Sequence, residues 1–113
     1  MANLDSVFHS LADGTRRAVI TQLCRGPASV GDLAQHHRMA LPSFMKHLHV
    51  LEASRLVVSR KKGRIRMCEL RVDALAPAQT WIEKERRMWA TRLNQLDAFV
   101  ETLAEKENTD GTK

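Results

Sequence analysis

At 113 residues the chain suits one domain and is too short for two comfortable ones. A hydrophobic fraction of 43% allows a core and argues against wholesale disorder. No apolar run approaches the roughly 18 residues of a membrane span, and the opening MANLDSVFHSLAD has no basic region before an apolar one. A soluble cytoplasmic protein with no membrane partner is expected. The formal charge of +5 favours a polyanionic partner without identifying one.

The elements follow in order. Leu4, Val7, Phe8, Leu11 and Ala12 recur at three and four, the spacing of a short amphipathic helix that Asn3 or Asp5 can cap. Asp13-Gly14 interrupts it. A second helix is predicted over 15–24, with Ala18, Val19, Leu23 and Ile20 inward, and Gly26-Pro27 stops it. Ser29 opens a third helix, and Asp32 three residues on makes an approximate capping box.

After the connection His36-His37-Arg38-Met39-Ala40, Pro42 fits the first turn of a fourth helix, where its missing N–H costs little. That helix runs to about Ala53. On a helical wheel Phe44, Leu48 and Leu51 fall within about 60° of one another, with Leu41 beside Leu48. Pro42, Ser43, Lys46 and His49 face the other way, and Met45 and His47 take the flanks. One face is for packing and one is free.

From Leu56 the period changes. Two β-prone runs, 56–60 and 64–70, flank Lys61-Lys62-Gly63 and predict a hairpin with a basic tip. Seven Arg or Lys and one acid lie between Arg55 and Arg71, a local +6. Charge concentrated on so short a segment is what phosphate-backbone binding requires. The predicted order is α-α-α-α-β-β-α, mainly helical with a hairpin wing: a winged helix-turn-helix.

The last third is helical again, with Pro77 near its start. Ile82, Trp89, Leu96 and Leu103 repeat at seven, as do Trp81 with Met88 and Leu93 with Val100. Three of the five aromatic residues (Trp81, Trp89 and Phe99) lie here. Two apolar stripes on one helix exceed what a small domain can cover, so dimerisation is expected. The first helix would contribute Leu4, Val7, Phe8 and Leu11 beside Trp81, Ile82, Met88, Trp89, Leu93, Leu96, Phe99, Val100 and Leu103. The competing reading folds the helix back on its own domain. The domain is expected to span 1–105, with 106–113 a polar, disordered tail.

In that order the motifs resemble the ArsR-type (arsenic-repressor) family of winged-helix regulators. Leu11-Ala12-Asp13-Gly14-Thr15-Arg16-Arg17 is similar to the family's LADPTRR, and Val30-Gly31-Asp32-Leu33-Ala34 to its V-x-E/D-L-A. Lys46-His47-Leu48-His49-Val50-Leu51-Glu52 resembles SKHLKVLE without its serine, and Lys61-Lys62-Gly63-Arg64 resembles the wing. The segment 81–89 resembles the dimer helix of the subgroup lacking metal sites.

The resemblance implies a homodimeric regulator, usually a repressor, on a palindromic operator in double-stranded DNA. The fourth helix would lie in the major groove, with the wing on phosphates or the minor groove. Four positions depart from the pattern. Gly14 replaces a proline, Ala40 a capping Ser or Thr, Met45 a serine that often contacts DNA, and Arg55 the glycine that ends the recognition helix.

The DNA-contact candidates are therefore Leu41, Pro42, Ser43, Met45, Lys46, His47 and His49, with Arg60, Lys61, Lys62 and Arg64 on the wing. Ser43 and Lys46 project from the outward face near the helix start, and the wing cations would set affinity and salt dependence. His47 fits a backbone contact and a structural hydrogen bond equally. For Arg16 and Arg17 at least one structural ion pair, with Asp13 or another acid, is expected.

His36-His37 lacks a Cys or acid at a spacing that completes a tetrahedral set, and the last helix has no histidine, so no metal or other cofactor is expected. Cys24 and Cys68 are too far apart for a CxxC site and read as small core hydrophobes. No Ser/His/Asp set, phosphate-binding glycine loop or convergent carboxylate pair points to an enzyme. A ligand-, metal- or redox-responsive sensor of the same fold, and a protein-interaction module without DNA, remain the alternatives.

Overall fold

The computed structural model describes the backbone of residues 4–110 and the side chains of 4–108. Helices α1 (Leu4–Leu11) and α2 (Gly14–Leu23) lead into a two-residue strand, β1 (Ala28–Ser29). Helices α3 (Val30–Gln35) and α4 (Leu41–Ala53), strands β2 (Val57–Lys62) and β3 (Ile65–Leu70), a 3-10 turn (Val72–Leu75) and α5 (Ala76–Asp110) complete the chain. One compact unit extends to Gln79 and a second begins at Thr80. Asn3, proposed as a cap for α1, lies outside the described residues.

The core of the first unit gathers Val7, Val19, Leu23, Leu33, Phe44, Leu48, Leu51, Leu56, Val57, Cys68 and Ala78. From α4 it takes Phe44, Leu48 and Leu51, at the i, i+4, i+7 spacing of one helical stripe. Full burial of each stabilises by about 1.5–3 kcal/mol. Ile20 packs at the edge of the cluster. Leu41, placed beside this stripe by the wheel, is 56% exposed because it is the first residue of the helix, beyond the reach of the core.

The sheet has three strands in the order β1-β3-β2, one more than the hairpin expected. Ala28 pairs with Cys68 and Ser29 with Met67, so the entry to α3 is anchored on the wing. Two residues carry no period to read, and their pairing is decided some forty residues away along the chain. The hairpin is also tighter than expected. Lys61 and Lys62 belong to β2, opposite Arg66 and Ile65, which leaves Gly63-Arg64 as the turn. Gly63 has φ +64°, the positive value a two-residue hairpin loop needs at its first position.

Helix ends follow their chemistry. Asp13 caps α2 by accepting from the Arg16 N–H at 3.1 Å, so Gly14 does not leave the helix start unsupported. Ser29 caps α3 through Asp32 N–H at 3.1 Å, whereas Ala40 gives α4 no side-chain cap. At the other end of α4, Arg55 N–H donates to Glu52 O and Leu56 N–H to Leu51 O. This is a Schellman closure with Leu56 and Leu51 both buried. Arg55 fills the left-handed position usually held by glycine, at φ +65°.

From Thr80 onward α5 carries exposed large apolar side chains: Trp81, Ile82, Met88, Trp89, Leu93, Leu96, Phe99, Val100 and Leu103. The helix does not end at Glu105 but continues to Asp110. Lys and Glu at 105–107 are good helix formers, and no glycine intervenes before Gly111.

Candidate nucleic-acid interface

Helices α3 and α4, joined by the five-residue connection 36–40, form the helix-turn-helix. The connection is held by its own histidines. The His36 ring lies 2.8 Å from Asp32 O, and His37 Nε2 lies 3.0 Å from Gln22 Oε1 while its ring stacks on Phe44. Both imidazoles thus have structural partners, and among the described residues no three His, Cys, Asp or Glu side chains converge as a metal site would require.

With Phe44, Leu48 and Leu51 inward, α4 turns Leu41, Pro42, Ser43, Lys46 and His49 to solvent. Met45 is different: it is half-buried and packs against the core. Apolar and on the flank, it gains more from the core than from water, which leaves it little surface for a base. His47 is also half-buried, with Nδ1 3.0 Å from Arg16 Nη1 and 3.6 Å from Asp13 Oδ2.

Among the described residues Arg16 and Arg17 do not make the ion pair expected of them. Arg16 Nε donates to Ser10 O and Nη2 to His9 O, each at 2.9 Å. Arg17 Nη1 donates to Leu11 O at 2.7 Å. Their partners are the open carbonyls at the end of α1, where a cation also meets the negative end of the helix dipole. Asp13 gives its carboxylate to the α2 N-terminus instead. The Arg16 N–H is the chief cause of its lowered pKa; partial burial opposes this, and a charge on His47, the Thr15 N–H and the Arg16 charge reinforce it.

A second buried link joins α1 to α4. The Ser10 hydroxyl donates to Ser54 Oγ at 2.8 Å, and Ser54 Oγ donates to Leu51 O at 3.0 Å. α4 is therefore fixed against α1 at its C-terminal end through Ser54 and, by way of Arg16, at its middle through His47. The wing is tied in as well: Ser59 Oγ donates to Glu52 Oε1 and accepts from Arg66 Nε, each at 2.8 Å. Arg16, Ser59 and Arg66 were absent from the sequence-derived site. Arg66 alone had a visible signal, a cation alternating with apolar residues along β3.

On the wing Arg60, Lys61, Lys62, Arg64 and Arg66 are all exposed. Lys61 stands directly opposite Arg66 in the ladder. Like charges in that relation repel. The face that carries them is the one that buries Val57 and Cys68 nearer the base of the hairpin, since side chains two apart share a face. Cys68 is a buried thiol whose pKa is raised by desolvation first and by the Glu52 charge second; Cys24 is exposed, and both are free.

A helix-turn-helix with one polar helical face beside a basic hairpin defines a winged helix-turn-helix DNA-binding protein. A helix-turn-helix domain model matches residues 11–60. The chain is 38% identical over 98 residues to the HTH-type transcriptional regulator Rv2034 of Mycobacterium tuberculosis (strain ATCC 25618 / H37Rv), covering 87% of this chain and 89% of that protein. It is 28% identical to the transcriptional repressor SdpR of Bacillus subtilis (strain 168), covering 70% and 88%. The crystal structure of an ArsR family transcriptional regulator, RHA00566, superposes with a TM-score of 0.73 at 42% identity, covering 80% of this chain and 97% of that one. The protein belongs to the ArsR-type family of winged helix-turn-helix transcriptional regulators. It is a DNA-binding regulator of transcription.

Proposed function

We propose that the protein is a repressor that binds a palindromic operator as a homodimer in the cytoplasm. The observation that carries this reading is the pairing of one α4 reading face per chain with an apolar stripe on α5 left open to water. Trp89 is 65% exposed and Phe99 60%. Contiguous exposed apolar surface of this kind marks an association site, and a second copy offers the same stripe, as a two-fold interface requires. Leu4, Phe8 and Leu11 of α1, each half-buried, are proposed as lesser contributors. Val7, expected beside them, has no surface to offer a partner because it is fully buried in its own chain's core.

On DNA, Ser43 and Lys46 would meet base edges, with Leu41, Pro42 and His49 at the groove margins. Arg60, Lys61, Lys62 and Arg64 would hold phosphates. The repulsion between Lys61 and Arg66 supports the wing's part, since a phosphate beside them relieves it. Repression is supported by SdpR, itself a transcriptional repressor.

Selection of bound duplexes from a random pool tests the reading. The expected product is an inverted repeat whose half-site centres lie about one helical turn apart. Lys46→Ala should weaken binding to it by about 1–3 kcal/mol. Enrichment of a lone, unrepeated half-site would overturn the homodimeric reading, and no enrichment at low salt would overturn operator recognition.

A further inference from the structure

Arg16 is 9% exposed, deep for a guanidinium. Two of its nitrogens are committed to the α1 carbonyls, and Nη1 faces His47 Nδ1 at 3.0 Å. A guanidinium has no acceptor and keeps its charge. The contact therefore requires a lone pair on Nδ1, which puts the ring proton on Nε2. A protonated Nδ1 could instead turn to Asp13 Oδ2 at 3.6 Å. That arrangement would set an N–H against the guanidinium's own N–H, and Asp13 is already engaged by the α2 N-terminus. The shorter contact makes Nδ1 the acceptor.

His47 Nε2 has no hydrogen-bond partner among the described residues, yet no buried side-chain nitrogen or oxygen of a non-exposed residue lacks one. Nε2 therefore reaches solvent. His47 lies one turn beyond Ser43 on the same side of α4 and next to Lys46. It sits between the core stripe and the reading face, at the margin of the helix where a groove wall would stand.

We propose that Arg16 is a positioning residue for DNA binding, locking His47 as the Nε2–H tautomer and presenting that N–H to a backbone phosphate. A held donor loses less freedom on binding than a free one, and its bond to an ionised phosphate is of the stronger, charge-assisted kind. The same contact ties the phosphate-facing donor to the end of α1. This role rests on the placement of α4 in the major groove.

The test is two-bond 1H–15N correlation on histidine-15N-labelled protein, free and with the selected duplex, beside binding titrations at fixed salt. The free protein should show His47 with a proton on Nε2 and none on Nδ1, and duplex should shift the Nε2 signal. Arg16→Lys should mix the tautomers and weaken binding about tenfold, the loss of roughly one charge-assisted hydrogen bond. His47→Gln, whose amide nitrogen falls near Nε2 but which offers Arg16 no acceptor at Nδ1, should lose about as much as Arg16→Lys; His47→Asn, which reaches only to Nδ1, should lose more.

An Nδ1–H or charged ring in the free protein overturns the proposal, as do equally harmless Gln and Asn variants. If Arg16→Lys does not fold, the wild-type spectrum and the two His47 variants still decide. Lys46→Ala separates the two failures. Binding unchanged by it faults the groove placement, whereas binding weakened by it but not by His47→Asn overturns the histidine's role alone.

Discussion

The buried hydroxyls of Ser10 and Ser54 lie 2.8 Å apart and join α1 to the last turn of α4. Ser54 passes the bond on to Leu51 O. Ser54→Ala removes the acceptor of the Ser10 hydroxyl and leaves it only Val50 O at 3.3 Å. A loss of about 1–2 kcal/mol is expected in urea denaturation. The Ser10→Ala/Ser54→Ala double variant should lose less than the sum of the single losses, because the second change removes a group that the first has already deprived of a partner.

Arg55 closes α4 at φ +65°. Its side chain gains nothing from that backbone that glycine would lack, and the closing hydrogen bonds use main-chain atoms alone. Arg55→Gly should therefore stabilise by about 0.5–1 kcal/mol, read as a higher denaturation midpoint. A lower midpoint would mean that the guanidinium makes a compensating contact.

Gly14 is the first residue of α2, and Asp13 before it is extended at φ −111°, ψ 136°. That is the conformation a residue preceding proline adopts. A Cβ at Gly14 would meet nothing nearer than Arg17 Nη2 at 3.8 Å. Gly14→Pro should raise stability by about 0.5–1 kcal/mol by restricting the unfolded chain, checked by thermal melting.

Asp13 has its pKa lowered in the folded protein, chiefly by the Arg16 N–H. Its contribution is therefore present above the ordinary carboxylate value of about 3.9 and is lost as pH falls through the lower folded value. Asp13→Asn should flatten the acid limb of the stability profile below about pH 4 and change its slope little above pH 6. An unaltered acid limb would place the titrating group elsewhere.

Trp89 and Leu96 lie seven residues apart on α5, and both are more than half exposed. Trp89→Glu should shift sedimentation from dimer towards monomer and weaken operator binding, since two half-sites would no longer be engaged together. Gln at an exposed polar position such as Glu101 serves as the control. A wild-type protein that sediments as a monomer would remove this prediction's basis.

Local order was readable without coordinates. The i, i+4, i+7 stripe of Phe44, Leu48 and Leu51 fixed which face of α4 turned outward, and Gly63 marked the hairpin turn, because period and backbone permissiveness are properties of neighbouring residues. The ordered motifs named the family for the same reason. What the tertiary structure alone decided depends on residues far apart in the chain. Arg16 reads as a partner for Asp13 or another acid until packing brings His47, thirty-one residues on, to a guanidinium already held by the α1 carbonyls. Ala28-Ser29 becomes a strand only when Cys68 and Met67 arrive opposite, and Met45 on the flank of α4 is drawn partly into the core. Buried polar atoms must find partners wherever the fold supplies them, and those choices set how α4 is held.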